Sequence, residues 1–182
     1  MENIQKCGLI PNDFEHTVKE TLTITNKPLT LQAIADRIDK SPDGKECKVV
    51  DYKSKYTGAG MERIIFTKSN LQPPLYLEIL NKKNNTCVCT STELAFIEHE
   101  VKNPFKSLTL NDFNVMKNKF MALLAFLTEL AEQGIFPLYA EDKEYCNFCD
   151  FKDICRKNHL PTAKRAKKNN YFKELRKFHY VP

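Results

Sequence analysis

The first half of the chain alternates apolar and polar positions. Residues 13–25, DFEHTVKETLTIT, are rich in β-branched residues with partial alternation and predict a strand. Residues 29–39, LTLQAIADRID, predict a second strand, and 47–53, CKVVDYK, a third. Ser41-Pro-Asp-Gly44 between these last two is strong turn chemistry, so they pair as a hairpin. A loop holding Gly58 and Gly60 follows, with a short apolar stretch from Arg63 to Phe66. Residues 71–80, LQPPLYLEIL, read as helix, because Pro73 and Pro74 fit a first turn where missing N–H groups cost little. Residues 86–98 read as a fourth strand bent near its middle. Thereafter Phe113, Phe120, Leu123, Leu124, Leu127 and Leu130 recur at helical spacing, with Thr109 or Asn111 as cap and Gly134 as stop. The order is three strands, a helix, a strand, a long helix and a cysteine-rich, basic end. That order predicts one mixed α/β domain.

The 182 residues suffice for one domain with a real core, and 42% hydrophobic with 28% charged is the balance of a globular chain. The longest apolar run, Phe120 to Leu127, falls well short of the roughly 20 residues a membrane helix needs. The opening residues hold no basic-then-apolar segment, so the expectation is a cytoplasmic protein without membrane contact. Charge is uneven. From Arg156 to Pro182 nine Lys/Arg face the single acid Glu174, a segment charge of +8 within a chain total of +5. Such a tail can hold phosphates by counterion release, or be a solvated surface. Residues 162–168 and 171–178 of it have a helical pattern, which also suits a C-terminal helix packing its aromatics on the body.

Seven cysteines in such a chain point to metal or cofactor use rather than disulfides. Cys146, Cys149 and Cys155 are clustered. Cys7, Cys47, Cys87 and Cys89 read by default as small buried hydrophobes.

The charged residues inside the strands carry the chemistry. Asp51 and Lys53 are two apart and share one strand face, and Asp36 on the neighbouring strand of the hairpin reaches the same patch. Charges placed there cost free energy unless paired or metal-bound. Two carboxylates beside an ammonium at a sheet end describe a Mg²⁺ site for phosphodiester cleavage. An Asp–Lys ion pair with a hairpin-edge Asp describes the same residues equally well. Asp39 is at odd spacing from Asp36 and faces the other side, so it and Arg37 suit a structural or DNA-backbone role. Glu15 on the first strand is a candidate for a further acid, or an ordinary exposed glutamate.

The string IADRID, a turn, then VVDYKSKY, followed by Gln72-x-x-x-Tyr76 and Cys146-x2-Cys149-x5-Cys155, resembles the PD-(D/E)XK nuclease superfamily. It is similar in particular to the RecB/AddB-type exonuclease branch of helicase–nucleases. The resemblance covers about residues 13 to 160 and departs from the family at Ala33, where glycine is usual. It implies a restriction-endonuclease-like α/β core, a small mixed sheet flanked by helices, over 1–160, and a basic tail over 161–182. It implies Asp36 and Asp51 as Mg²⁺ carboxylates, the Tyr52 carbonyl as a further ligand, and Lys53 as catalytic lysine. Gln72 and Tyr76 would position the lysine and the scissile phosphate. Cys146, Cys149 and Cys155 would hold a 4Fe-4S cluster as a C-terminal staple, with Cys7 as the upstream fourth ligand. The expected partners are DNA and a helicase-type subunit, and the expected role is DNA repair and recombination. The helices that precede the first strand in the family have no counterpart here, so the chain reads as the C-terminal piece of a longer nuclease. Two rival readings are a DNA-binding or scaffolding remnant that has lost its chemistry, and a zinc-bound nucleic-acid module with His159 as fourth ligand.

Overall fold

The structure is a computed structural model that describes residues 8–24, 26–66, 70–83, 87–98, 101–135, 161, 168 and 170–178. It divides into two units, residues 1–122 and 123–182. In the first, five strands form one sheet in the order β1-β2-β3-β4-β5: β1 (Ile10–Ile24), β2 (Lys27–Lys40), β3 (Glu46–Lys53), β4 (Val88–Phe96) and β5 (Phe105–Thr109). All neighbours are antiparallel except β3 and β4, which run parallel, so the sheet is mixed. The parallel step needs a crossover, and the chain supplies it with two helices, α1 (Met61–Phe66) and α2 (Gln72–Lys83).

Local chemistry accounts for these elements. Asn26, with φ of 63°, carries the turn that folds β1 back on β2 from Ile24 to Lys27. Gly44, with φ of 71°, closes the Ser41–Glu46 turn, where the Ser41 hydroxyl donates to Asp43 and accepts from the Glu46 N–H. Pro73 and Pro74 lie in the first turn of α2, and Asn70 Oδ1 accepts the Gln72 N–H. Thr109 ends β5 and begins α3 (Leu110–Glu132), its Oγ1 accepting the Asp112 N–H at 3.1 Å as a helix cap.

Differences from the sequence reading are confined to short or terminal segments. β5 and α1 are additional elements. Five and six residues are too few for either period to stand out, and FKSLT runs straight into the α3 cap. β1 starts at Ile10, three residues early, with a register shift between Pro11 and Asp13. In β4 the register slips opposite Cys47 and Lys48, where the Thr90 hydroxyl donates to the Cys47 carbonyl.

The core lies on the sheet face that carries Ile38, Val49, Leu94 and Leu108, under α2 residues Tyr76, Leu77, Ile79 and Leu80. Cys47 and Cys89 are buried on this face and Cys87 sits at its margin, all three as free thiols. The Cys89 thiol beside it and its own burial push the Cys47 thiol well above its ordinary value, and burial first of all pushes Cys87 up to about 11. The Cys47 and Cys87 thiols are therefore protonated packing groups at neutral pH. Phe113 and Phe120 of α3 are buried and meet edge-to-face, and Lys119 covers the Phe66 ring while pairing with Glu62.

In the second unit, α3 continues to Glu132 and Gly134, with φ of 66°, follows it. The helix α4 (Asn170–Phe178) buries Leu175 and stacks Phe178 on Phe126 at 6.1 Å. That packing matches the reading in which the tail docks its apolar side chains. Cys7, Cys146, Cys149, Cys155 and His159 lie outside the described residues, as does most of 162–169. Among the described residues no helix is long and apolar enough to cross a membrane.

Candidate active site

The site forms where β2 and β3 part. Their ladder pairs Lys40 with Cys47, Asp39 with Lys48, Ile38 with Val49 and Arg37 with Val50, then ends. Continuing the register sets Asp36 opposite Asp51, and paired residues share a face. Instead of a further ladder bond, Asp36 Oδ2 accepts the Tyr52 N–H at 2.7 Å. Asp51 and Lys53 project from that same face of β3 and form an ion pair.

α2 closes this face. The Lys53 ammonium donates to Gln72 Oε1 at 2.8 Å, and the Tyr76 hydroxyl donates to the Ile34 carbonyl at 2.6 Å. Gln72 and Tyr76 are four apart and share one helix face, so a single helix supplies both contacts. Tyr76 is buried, and the nearby Asp51 and Asp36 charges add to that burial in raising its hydroxyl well above its ordinary value. The structure therefore places Asp36, Asp51, Lys53, Gln72 and Tyr76 within one neighbourhood.

Asp51 is buried in this site, with only 4% of it accessible. Burial pushes its carboxyl above the usual carboxylate range, against the lowering effect of Lys53, and the charge of Asp36 adds to the rise. Its Oδ2 atom faces Lys53 but has no well-aligned hydrogen-bond donor among the described residues. A buried carboxylate oxygen left this way, beside the half-buried Asp36, is a donor set suited to a hard divalent cation that keeps several waters. Among the described residues no three His, Cys, Asp or Glu side chains converge, so the protein side chains offered are these two carboxylates. Glu15 lies opposite Asp36 in the β1–β2 register, between the pairs Phe14–Arg37 and His16–Ala35, but is exposed, with φ of 48°.

The reverse face of the same strands carries a second group of charges. Arg37 grips Asp39 through Nε at 2.7 Å and Nη2 at 3.1 Å. Lys48 lies 3.7 Å from Asp39 and 3.3 Å from Glu93, whose other oxygen accepts from the Ser107 hydroxyl. The alternation puts Arg37 and Asp39 behind Asp36, as expected from their spacing. Lys48 stands opposite Asp39 in the β2–β3 hairpin, and the contribution of Glu93 was not foreseen, because the β3–β4 register is parallel and no turn announces it.

No curated protein matches the sequence. Among solved structures, the one reported as "Crystal structure of SSO0001" is similar, with a TM-score of 0.50 at 15% identity. The match covers 79% of this chain and 59% of that one, and shows a shared fold. The five-stranded mixed sheet with its helices is a restriction-endonuclease-like α/β fold. The model of the PD-(D/E)XK nuclease superfamily matches residues 4–156, which takes in all five described strands, α1, α2 and all of α3. By that match over most of its length, the chain belongs to the PD-(D/E)XK nuclease superfamily.

Proposed function

We propose that this chain is a Mg²⁺-dependent deoxyribonuclease domain of the RecB/AddB type, hydrolysing phosphodiester bonds in double-strand-break processing with a helicase-type partner. The supporting observation is the convergence of Asp36, Asp51, Lys53, Gln72 and Tyr76 at the point where β2 and β3 separate. Asp36 and Asp51 would hold the metal, with the Tyr52 carbonyl as a further ligand. When bound there, Mg²⁺ polarises a phosphate and supplies a nucleophilic water at neutral pH. Lys53 offsets the negative charge that develops on the phosphate, and Gln72 and Asp51 fix its ammonium for that task. Tyr76 acts at a distance from the chemistry. By bonding the Ile34 carbonyl it ties α2 to β2 two residues before Asp36.

The test is cleavage of end-labelled double- and single-stranded DNA in Mg²⁺, with Asp51→Asn, Lys53→Met and wild type side by side. Cleavage that both variants lose supports the reading, and equal cleavage by all three discards it. The iron–sulfur staple belongs to the same proposal, with Cys146, Cys149, Cys155 and Cys7 as ligands. Protein purified without oxygen should then hold iron and sulfide. One zinc per chain, lost with His159→Ala, would favour the zinc module instead.

A further inference from the structure

The β2–β3 ladder stops at Arg37 and Val50, one step short of the two carboxylates. Past that point two side-chain bonds tie β2 to β3, one on each face, and both end on Tyr52. On the site face Asp36 accepts the Tyr52 N–H. On the reverse face the Arg37 guanidinium donates to the Tyr52 hydroxyl and lies 5.6 Å from the centre of its ring. Tyr52 itself is 42% exposed, so packing alone holds it loosely. Arg37 is not loose. Asp39, 1% exposed, grips it with both oxygens, and Lys48 and Glu93 complete a charge-balanced row beneath.

We propose that Arg37, fixed by Asp39, is a positioning residue for the candidate metal site: it pins the Tyr52 side chain and so sets the Tyr52 peptide that orients the Asp36 carboxylate. This rests on the nuclease reading above. The physical case is a lever through the sheet. Successive side chains of a strand project to opposite faces, so restraining the Tyr52 ring on one face restrains the backbone N–H that serves the other. An outer partner of this kind acts on a metal site by orienting its ligand.

The experiment measures Mn²⁺ binding to the DNA-free protein by electron paramagnetic resonance, alongside melting temperature and the Mg²⁺ dependence of DNA cleavage. Arg37→Met should weaken Mn²⁺ binding about tenfold. Tyr52→Phe, a half-exposed change that keeps the ring, should weaken it in the same direction by a smaller factor. The double variant should cost less than the product of the two, because one path carries both effects. In cleavage, the loss should appear as a raised Mg²⁺ requirement that excess Mg²⁺ restores. Phe113→Leu, a core truncation in α3 that also lowers the melting temperature, should leave Mn²⁺ affinity unmoved and so separate positioning from general loosening. Unchanged Mn²⁺ affinity in folded Arg37→Met and Tyr52→Phe, with Asp51→Asn abolishing binding, overturns the positioning role alone. Wild-type protein that neither binds Mn²⁺ nor cleaves DNA overturns both.

Discussion

Asp39 and Asp51 are both buried, on adjacent central strands, yet they face opposite sides of the sheet and live under opposite conditions. Asp39 has both oxygens on the Arg37 guanidinium and the Lys48 ammonium beside it. Asp51 has one ammonium, a second carboxylate close by, and an oxygen lacking any well-aligned donor among the described residues. The first is a saturated structural charge. The second is a buried charge left short of partners, which costs stability and leaves room for a cation. The same strands therefore carry rigidity on one face and chemistry on the other.

The widest gap should open between activity and stability at these two positions. Asp51→Asn should cut DNA cleavage by about 10²–10³-fold, the scale of losing the electrostatic stabilisation that a held metal supplies. Its melting temperature at neutral pH should hold or rise, since a buried, poorly paired charge is gone. Asp39→Asn should cost mainly stability, with cleavage lowered only through a raised Mg²⁺ requirement that excess Mg²⁺ restores. Removing one partner of a buried ion pair costs about 3–5 kcal/mol, which a urea titration would read directly. A large melting loss in Asp51→Asn, or none in Asp39→Asn, would break the contrast.

Half of this contrast was legible in the sequence. Period-two spacing put Asp51 and Lys53 on one face and set Asp39 and Arg37 behind Asp36, and the Ser41–Gly44 turn paired the two strands. The Pro73-Pro74 step likewise announced the start of α2. Burial was not legible. Whether Asp51 is covered depends on where α2 lands, and that follows from tertiary packing of Tyr76 and Leu77 rather than from the D-x-K triplet. The Glu93 end of the reverse-face row was equally hidden, because Lys48 meets Glu93 across a parallel pair of strands joined by a long crossover. Only the resemblance to known nucleases ranked the metal site above an ordinary ion pair.

A pH series sharpens the contrast next. Because burial raises the Asp51 carboxyl, its metal-binding form is lost at a higher pH than an ordinary carboxylate would require. Mn²⁺ affinity should therefore fall, on acidification, with a midpoint above the usual carboxylate range. Lys53→Met removes the group that lowers the Asp51 value, so that midpoint should move further up. The sign for stability is opposite. A carboxyl whose folded value is raised contributes stability that is full below its unfolded pKa and lost as pH rises through the folded one. The stability advantage of Asp51→Asn over wild type should accordingly grow with pH across that window. A midpoint below the usual range would mean that Lys53, not burial, dominates.

The smallest effect tests where the reverse-face row ends. Glu93 joins it through Lys48, and the Ser107 hydroxyl adds a bond to the second Glu93 oxygen at 3.2 Å. Ser107 is exposed on the outermost strand, so water can replace its hydroxyl at Glu93 once the side chain is cut back. Ser107→Ala should shift stability by no more than about 0.5 kcal/mol and leave Mn²⁺ affinity and cleavage unchanged. Glu93, by contrast, is only 15% exposed at its side chain, and Lys48 is 12% exposed. Their pair must persist for Asp39 to keep a balanced surrounding. If Ser107→Ala instead weakened Mn²⁺ binding, the row would be transmitting strain from the sheet edge to Asp36, and the reverse face could no longer be treated as a rigid support ending at Glu93.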